Sequence, residues 1–124
     1  MSADVGPVAR LTTHVLDTAA GRPAAGVRVT VDRLEPDGAR VQVASAVTDS
    51  DGRTDPPLLS GADLVAGTYE LRFEVGDHFA RAGHAVAEPP FLDVVPVRVG
   101  LDGRSHVHVP LLVSPWSYST YRGS

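Results

Sequence analysis

The stretch Val27-Arg-Val-Thr-Val-Asp-Arg-Leu34 runs into Glu35-Pro-Asp-Gly38 and then into Arg40-Val-Gln-Val-Ala-Ser-Ala-Val-Thr48. In the first run Val27, Val29 and Val31 alternate with Arg28, Thr30 and Asp32. A period of two is what a strand imposes when one of its faces is buried. Pro36 is preset for the second position of a tight turn, and Gly38 can take the positive φ that closes it. In the second run Val41, Val43, Ser45 and Val47 share a face. Two alternating runs around a turn read as an antiparallel hairpin.

The pattern recurs on both sides. Residues 10–18 place Thr12, His14 and Leu16 on one face and Leu11, Thr13, Val15 and Asp17 on the other. Residues 19–26 are loop by composition. Asp49-Ser-Asp-Gly-Arg53 is a second turn, and a region rich in Pro, Gly and Leu fills 54–67. Residues 68–75 alternate again, with Tyr69, Leu71, Phe73 and Val75 toward the core. Residues 76–83 are the one helical candidate, with Asp77 as its cap and Gly83 as its stop. Residues 91–99 read as a strand, placed at an edge because Pro96 cannot donate to a ladder. Leu101-Asp-Gly103 turns the chain, and 105–114 and 116–122 are the last strands, separated by Pro115. Some seven or eight short strands at turn intervals of roughly 8–12 residues make an all-β, two-sheet β-sandwich with one short helix. Such a sandwich has edge strands that little in the sequence blunts, so assembly through an edge is expected.

Composition agrees and narrows the function. The chain has 124 residues, the size of one domain, with 19 Val and no Ile, 12 Gly and 10 Pro. It has no Cys, which excludes disulfides, thiol catalysis and Cys-ligated metals. All 11 basic residues are Arg, and the formal net charge is −4, which is not the footprint of a nucleic-acid binder. Residues 1–9 read as a loose leader without the cationic start and apolar run of a signal peptide, ahead of a single domain over 10–124. No apolar stretch approaches the roughly 20 residues that cross a bilayer. The expectation is a cytoplasmic protein that engages neither membrane nor nucleic acid.

Five histidines stand out: His14, His78, His84, His106 and His108. His106 and His108 lie two apart on a predicted strand whose core face belongs to Val107 and Val109, so both point outward. His14 lies opposite Val15 in the same way. These three histidines admit a metal site, an acid–base site with Arg as electrostatic partner, or no shared role. Asp49-Ser-Asp-Gly52 opens like a calcium loop, but the position that would need Glu is Leu58, so it reads as a turn. There is no Gly-x-Ser-x-Gly elbow, phosphate loop or dinucleotide fingerprint. The polar and aromatic end Tyr118-Ser-Thr-Tyr-Arg-Gly-Ser124 differs from a fraying tail and reads as an end that is tied down.

Two motifs carry a family resemblance. One is Leu11-Thr-Thr-His-Val-Leu-Asp-Thr18 followed by Gly21-Arg-Pro-Ala-Ala-Gly-Val27. The other is His106-Val-His-Val-Pro-Leu-Leu-Val-Ser-Pro115, closing with Tyr118-Ser-Thr-Tyr-Arg-Gly-Ser124. Together they resemble the transthyretin-like (prealbumin-like) 5-hydroxyisourate hydrolases of urate breakdown, whose diagnostic ending is Tyr-Arg-Gly-Ser. The resemblance implies two four-stranded sheets, one short helix and a homotetramer with active sites at the dimer–dimer interface. It implies hydrolysis of 5-hydroxyisourate to 2-oxo-4-hydroxy-4-carboxy-5-ureidoimidazoline, without metal or organic cofactor. It implies that His14, Arg53 and His108 are catalytic, and that Tyr121, Arg122, Gly123 and Ser124 contact substrate, with His106 beside them. The competing readings are a non-enzymatic, transthyretin-like carrier of small ligands and a secreted or adhesive module. The polar residues weigh against the first, and the missing cysteines against the second.

Overall fold

The alternating valines of the central hairpin line the inner wall of one of two stacked sheets. The computed structural model describes residues 8–84 and 87–124. Its strands are β1 (Arg10–Asp17), β2 (Arg22–Pro23), β3 (Arg28–Leu34), β4 (Arg40–Val47), β5 (Leu59–Ser60), β6 (Gly67–Glu74), β7 (Val94–Leu101), β8 (Val107–Val113) and β9 (Tyr118–Thr120). The helix α1 (Val75–Arg81) lies between β6 and β7. One sheet has the order β2-β1-β8-β9, with β5 also paired to β1; the other has the order β4-β3-β6-β7. Every pairing is antiparallel except β1 with β8. Of the predicted leader only Val8 and Ala9 fall within the described residues, just ahead of β1.

The core between the sheets is made by the residues that alternation pointed inward. Leu11, Val15, Val29, Val31, Tyr69, Leu71, Phe73 and Leu111 are all 0% exposed. Burying side chains of this size contributes about 1.5–3 kcal/mol each before entropy is counted. The one polar atom that large core ring carries is satisfied, since Tyr69 Oη donates to the Val65 carbonyl at 2.7 Å.

Several details differ from the sequence reading. The described residues form nine strands, because the loop after β1 and the Leu-rich region each contribute two residues to the edge of β1. The first sheet therefore has five strands, not four. In β4 the inward face is not the Val41, Val43, Ser45, Val47 set. Ala46 sits opposite Val29 and Ala44 opposite Val31, and a register shift then places Gln42 opposite Asp32. Residues directly opposite share a face. Ala44 and Ala46 thus pack on the core with Val43, while Val41 and Val47, on this edge strand, are 41% and 49% exposed. Pro96 does lie on an edge strand, since β7 pairs only with β6.

The helix begins at Glu74 without a side-chain cap; Asp77 sits inside the first turn, where its charge suits the helix dipole. Its end is as expected, with Gly83 at φ +82 just past the C-cap Ala82. What anchors the helix is Phe79, 1% exposed, and a hydrogen bond between His78 Nε2 and the buried Asp17 Oδ2 at 2.8 Å. Asp17 also accepts from the Ala20 backbone N–H at 2.9 Å, so one carboxylate joins the end of β1, its following turn and α1. Burial alone would raise the Asp17 pKa, but the His78 and Ala20 hydrogen bonds and the charges of His78 and His84 hold it below its ordinary 3.8. A depressed carboxylate pKa contributes stability above the unfolded-state value, and that stability is lost as pH falls through the folded-state value. Asp17→Ala is expected to cost about 2 kcal/mol at neutral pH, measured by urea unfolding. The deficit relative to wild type should shrink below pH 3.8; a deficit independent of pH would sink the assignment.

Candidate active site

The parallel pairing of β1 with β8 builds the site. Its register sets Thr12 beside His108, Thr13 beside Val109 and His14 beside Pro110. The inner partners close the core, and Thr13 Oγ1 donates to the Val109 carbonyl at 2.7 Å. The outer partners, Thr12, His14 and His108, stay half-buried on the outer face of the sheet. Thr12 Oγ1 and His108 Nδ1 are 2.8 Å apart, within hydrogen-bond distance.

Each histidine is backed by a second segment. His14 is bridged to Arg53 by the turn that follows β4, and the Val15 N–H donates to the Gly52 carbonyl at 2.8 Å. Asp49 shapes this turn by accepting from the backbone N–H groups of Asp51 and Arg53 at 2.9 and 3.1 Å. Gly52 has φ +77, and a Cβ there would collide with the Val15 carbonyl and lie 3.2 Å from the His14 ring. His108 is bridged to Gly123 of the tail: its N–H donates to the Gly123 carbonyl at 3.1 Å and its carbonyl accepts from the Gly123 N–H at 2.7 Å. A Cβ at Gly123 would stand 3.2 to 3.3 Å from His108 Cβ and Cδ2, so a larger residue there would press on the ring. Thr120 Oγ1 fastens the same tail by donating to the Pro110 carbonyl at 2.7 Å. The chain end is tied down, as its composition suggested.

Arg53, His106, His108 and Ser124 line one open cleft of about 490 Å³, together with Arg10, Thr12 and Thr54. His14 stands two residues beyond Thr12 on the same outer face. Tyr121 and Arg122 do not line this cleft in a single chain. They line a separate hollow of about 320 Å³ along the open side of the sandwich, with Val97, Val99, Val107 and Val109. Four residues of the cleft have no site role in the sequence reading, one of them Thr13, whose strand parity points it inward. Thr12 is marked only by sharing a strand face with His14. Arg10 is marked only as a strand start. Thr54, whose buried Oγ1 has no hydrogen-bond partner among the described residues, carries no sequence signal.

The electrostatics favour a neutral imidazole at His108. Burial first, and then the positive charges of Arg53, His14 and His106, push its pKa below the ordinary 6.5. A neutral imidazole can accept a proton, and the guanidinium of Arg53 nearby can face a developing oxyanion. The other two histidines, His78 and His84, lie on the Asp17 side of the fold and take no part in this cleft. Among the described residues no group of three or more His, Asp, Glu or Cys side chains is placed to hold a metal ion.

Comparison with known proteins places this arrangement. A family model described as HIUase/Transthyretin matches residues 11–123. The chain is 57% identical over 116 residues to 5-hydroxyisourate hydrolase 2 of Rhizobium meliloti (strain 1021), covering 93% of this chain and 96% of that protein. The structure of Klebsiella pneumoniae 5-hydroxyisourate hydrolase superposes with a TM-score of 0.76 at 37% identity, over 94% of this chain and 99% of that one. Sea bream transthyretin in complex with thyroxine superposes with a TM-score of 0.83 at 29% identity, over 92% and 94%. The glycine contacts give a test of the geometry that needs no substrate. Gly52→Ala should lower stability by about 1–3 kcal/mol through its positive φ and its collision with β1. Denaturant unfolding measures it; wild-type stability would mean that the turn is not pressed against His14.

Proposed function

The chain belongs to the HIUase/Transthyretin family and is an enzyme that hydrolyses 5-hydroxyisourate, and we propose that His14, Arg53 and His108 carry the reaction. The observation that supports this assignment most directly is the parallel β1–β8 register, which sets residues from opposite ends of the chain on one outer face. Water attacks an amide-like carbonyl of the planar ring. A neutral histidine accepts the water's proton, Arg53 faces the oxygen on which negative charge develops, and the proton passes on to the departing ring nitrogen. The carbonyl carbon–nitrogen bond breaks, the ring opens to a carboxylic acid, and this ionises to the carboxylate by releasing its proton to water.

The tail completes the site in this reading. Ser124 lines the histidine cleft, Gly123 lies on His108, and Tyr121 and Arg122 turn to the open side of the sandwich. We propose that a homotetramer closes the cleft, with active sites at the dimer–dimer interface. The exposed aromatic residues at this end of the sheet support it: Trp116, Tyr118 and Tyr121 are 66%, 44% and 61% exposed, beside an edge strand with one free side. A cytoplasmic location fits the absence of cysteine from the sequence. No helix among the described residues is long and apolar enough to cross a membrane. The carrier reading is the weaker one, because the outer cleft offers arginine, histidine and hydroxyl groups to a ligand in place of an apolar slot.

The decisive measurement is the ultraviolet decay of freshly generated 5-hydroxyisourate. His108→Ala and His14→Ala should each slow the catalysed decay by about 10²- to 10⁴-fold, the usual share of a positioned acid or base. Full activity in the double variant would refute the assignment. The pH profile gives an independent check. His108 must be neutral to act, and its pKa lies below 6.5, so kcat/KM should fall on the acid side with a midpoint below that value. A midpoint above it would exclude His108 as the base. Light scattering should give four times the 13.0 kDa of one chain; a fully active monomer would remove the interface from the mechanism.

A further inference from the structure

We propose that Thr12 is a positioning residue that fixes the tautomer of His108, keeping a proton on Nδ1 and leaving Nε2 bare toward the cleft. The inference rests on the reading of His108 as the group that accepts a proton. Thr12 and His108 are register partners on adjacent parallel strands, so their Cα atoms are held side by side by the ladder. Their side chains meet at 2.8 Å, Oγ1 to Nδ1. The tail runs alongside, joined to His108 by two backbone hydrogen bonds, and leaves no more room there than a single Cβ would fill. The Thr12 hydroxyl engages Nδ1, so Nε2 is the nitrogen left for the cleft that His108 lines.

A threonine hydroxyl can either donate to a bare Nδ1 or accept from a protonated one. The two cases have opposite chemical meaning. If Thr12 donates, Nε2 already carries a proton, and His108 can accept another only at Nδ1, where the hydroxyl blocks it. If Thr12 accepts, Nε2 is bare and takes the water's proton directly. In that case the Nδ1–H···Oγ1 bond persists through the cycle, and it is stronger in the cation than in the neutral ring. Only the second arrangement lets His108 act as a base on the cleft side without breaking its anchor. The hydrogen bond made by one ring nitrogen sets the state of the other. Burial, and then the positive charges of Arg53, His14 and His106 around the ring, oppose its protonation.

The test compares Thr12→Val, which keeps the shape and removes the hydroxyl, with Thr12→Ser, which restores it. Thr12→Val should lower kcat about tenfold, part of the contribution of a positioned base, with KM nearly unchanged. The acid limb of its pH profile should move to lower pH, because the cation loses a hydrogen-bond acceptor. Thr12→Ser should recover most of kcat and the wild-type limb. Nitrogen-15 spectra of selectively labelled wild-type enzyme provide a readout that needs no variant: the neutral ring should carry its proton on Nδ1. A proton on Nε2 overturns the proposal, as does a Thr12→Val enzyme with wild-type kcat and pH profile. If instead His108→Ala retains full activity, the reading of His108 as base fails, and the spectra still decide the tautomer separately.

Discussion

One parallel ladder carries the rest of the structure. β1 and β8 lie at opposite ends of the sequence, yet seven consecutive residues of each are paired, from Leu11 with Val107 to Asp17 with Val113. Parallel pairs cannot be joined by a tight turn and need a long crossover. Here the crossover is almost the whole domain, including the second sheet and the helix. The ladder therefore forms only when the sandwich does, and the site it carries exists only in the folded chain. On its inner side it contributes Leu11, Val15, Val109 and Leu111 to the core. On its outer side the same alternation leaves Thr12, His14 and His108 free for chemistry. Core and cleft are the two faces of a single pairing, so a slip of one residue would bury the histidines and expose the valines.

Two glycines convert that pairing into a defined site. Backbone pressed against an imidazole fixes it more tightly than a long side chain, which would keep rotamers of its own. Gly52 allows the turn after β4 to lie on His14, and Gly123 allows the tail to lie on His108. The two contacts have the same form: an isolated backbone bridge, a glycine at the closest approach, and a cleft-lining residue next in sequence, Arg53 in one and Ser124 in the other. The arrangement delivers a guanidinium and the chain end to the cleft from segments that would otherwise be mobile.

The sequence made the strands legible because alternation is a local signal. Val27, Val29 and Val31 announce their face without knowing their neighbours, and Tyr69, Leu71 and Phe73 do the same. It failed at β4, where a register shift inverts the face, since a bulge is a relation between two strands and leaves little trace in either alone. It failed at the helix cap too, where Asp77 was the one suitable residue type but the start is set by the backbone N–H groups of Val75 and Gly76 bonding to the Asp93 carbonyl. For the site, the three outward histidines could be read from strand parity. Which of them stand together could not, because parity says nothing of how strands far apart in sequence are paired. The resemblance supplied His14, Arg53 and His108, and it passed over Thr12, whose significance lies wholly in its register with His108.

The openness of the cleft supports the proposed assembly of several copies of the domain. A two-sheet sandwich fills most of its interior with side chains, and the hollow at its open side, lined by Val97, Val99, Val107 and Val109, is mainly apolar. Polar chemistry is thus confined to an outer face, where water has free access. Hydrolysis needs one ordered water, and a base surrounded by bulk solvent loses the low dielectric that strengthens its interactions with charge. Covering the face with a lid would take a longer chain. In the proposed homotetramer another copy of the same face would cover it with no additional sequence, and would bring the exposed aromatic residues of the tail out of water at the same time. Tyr121 and Arg122, which turn away from the cleft of their own chain, are then placed at the margin where a neighbour would meet them.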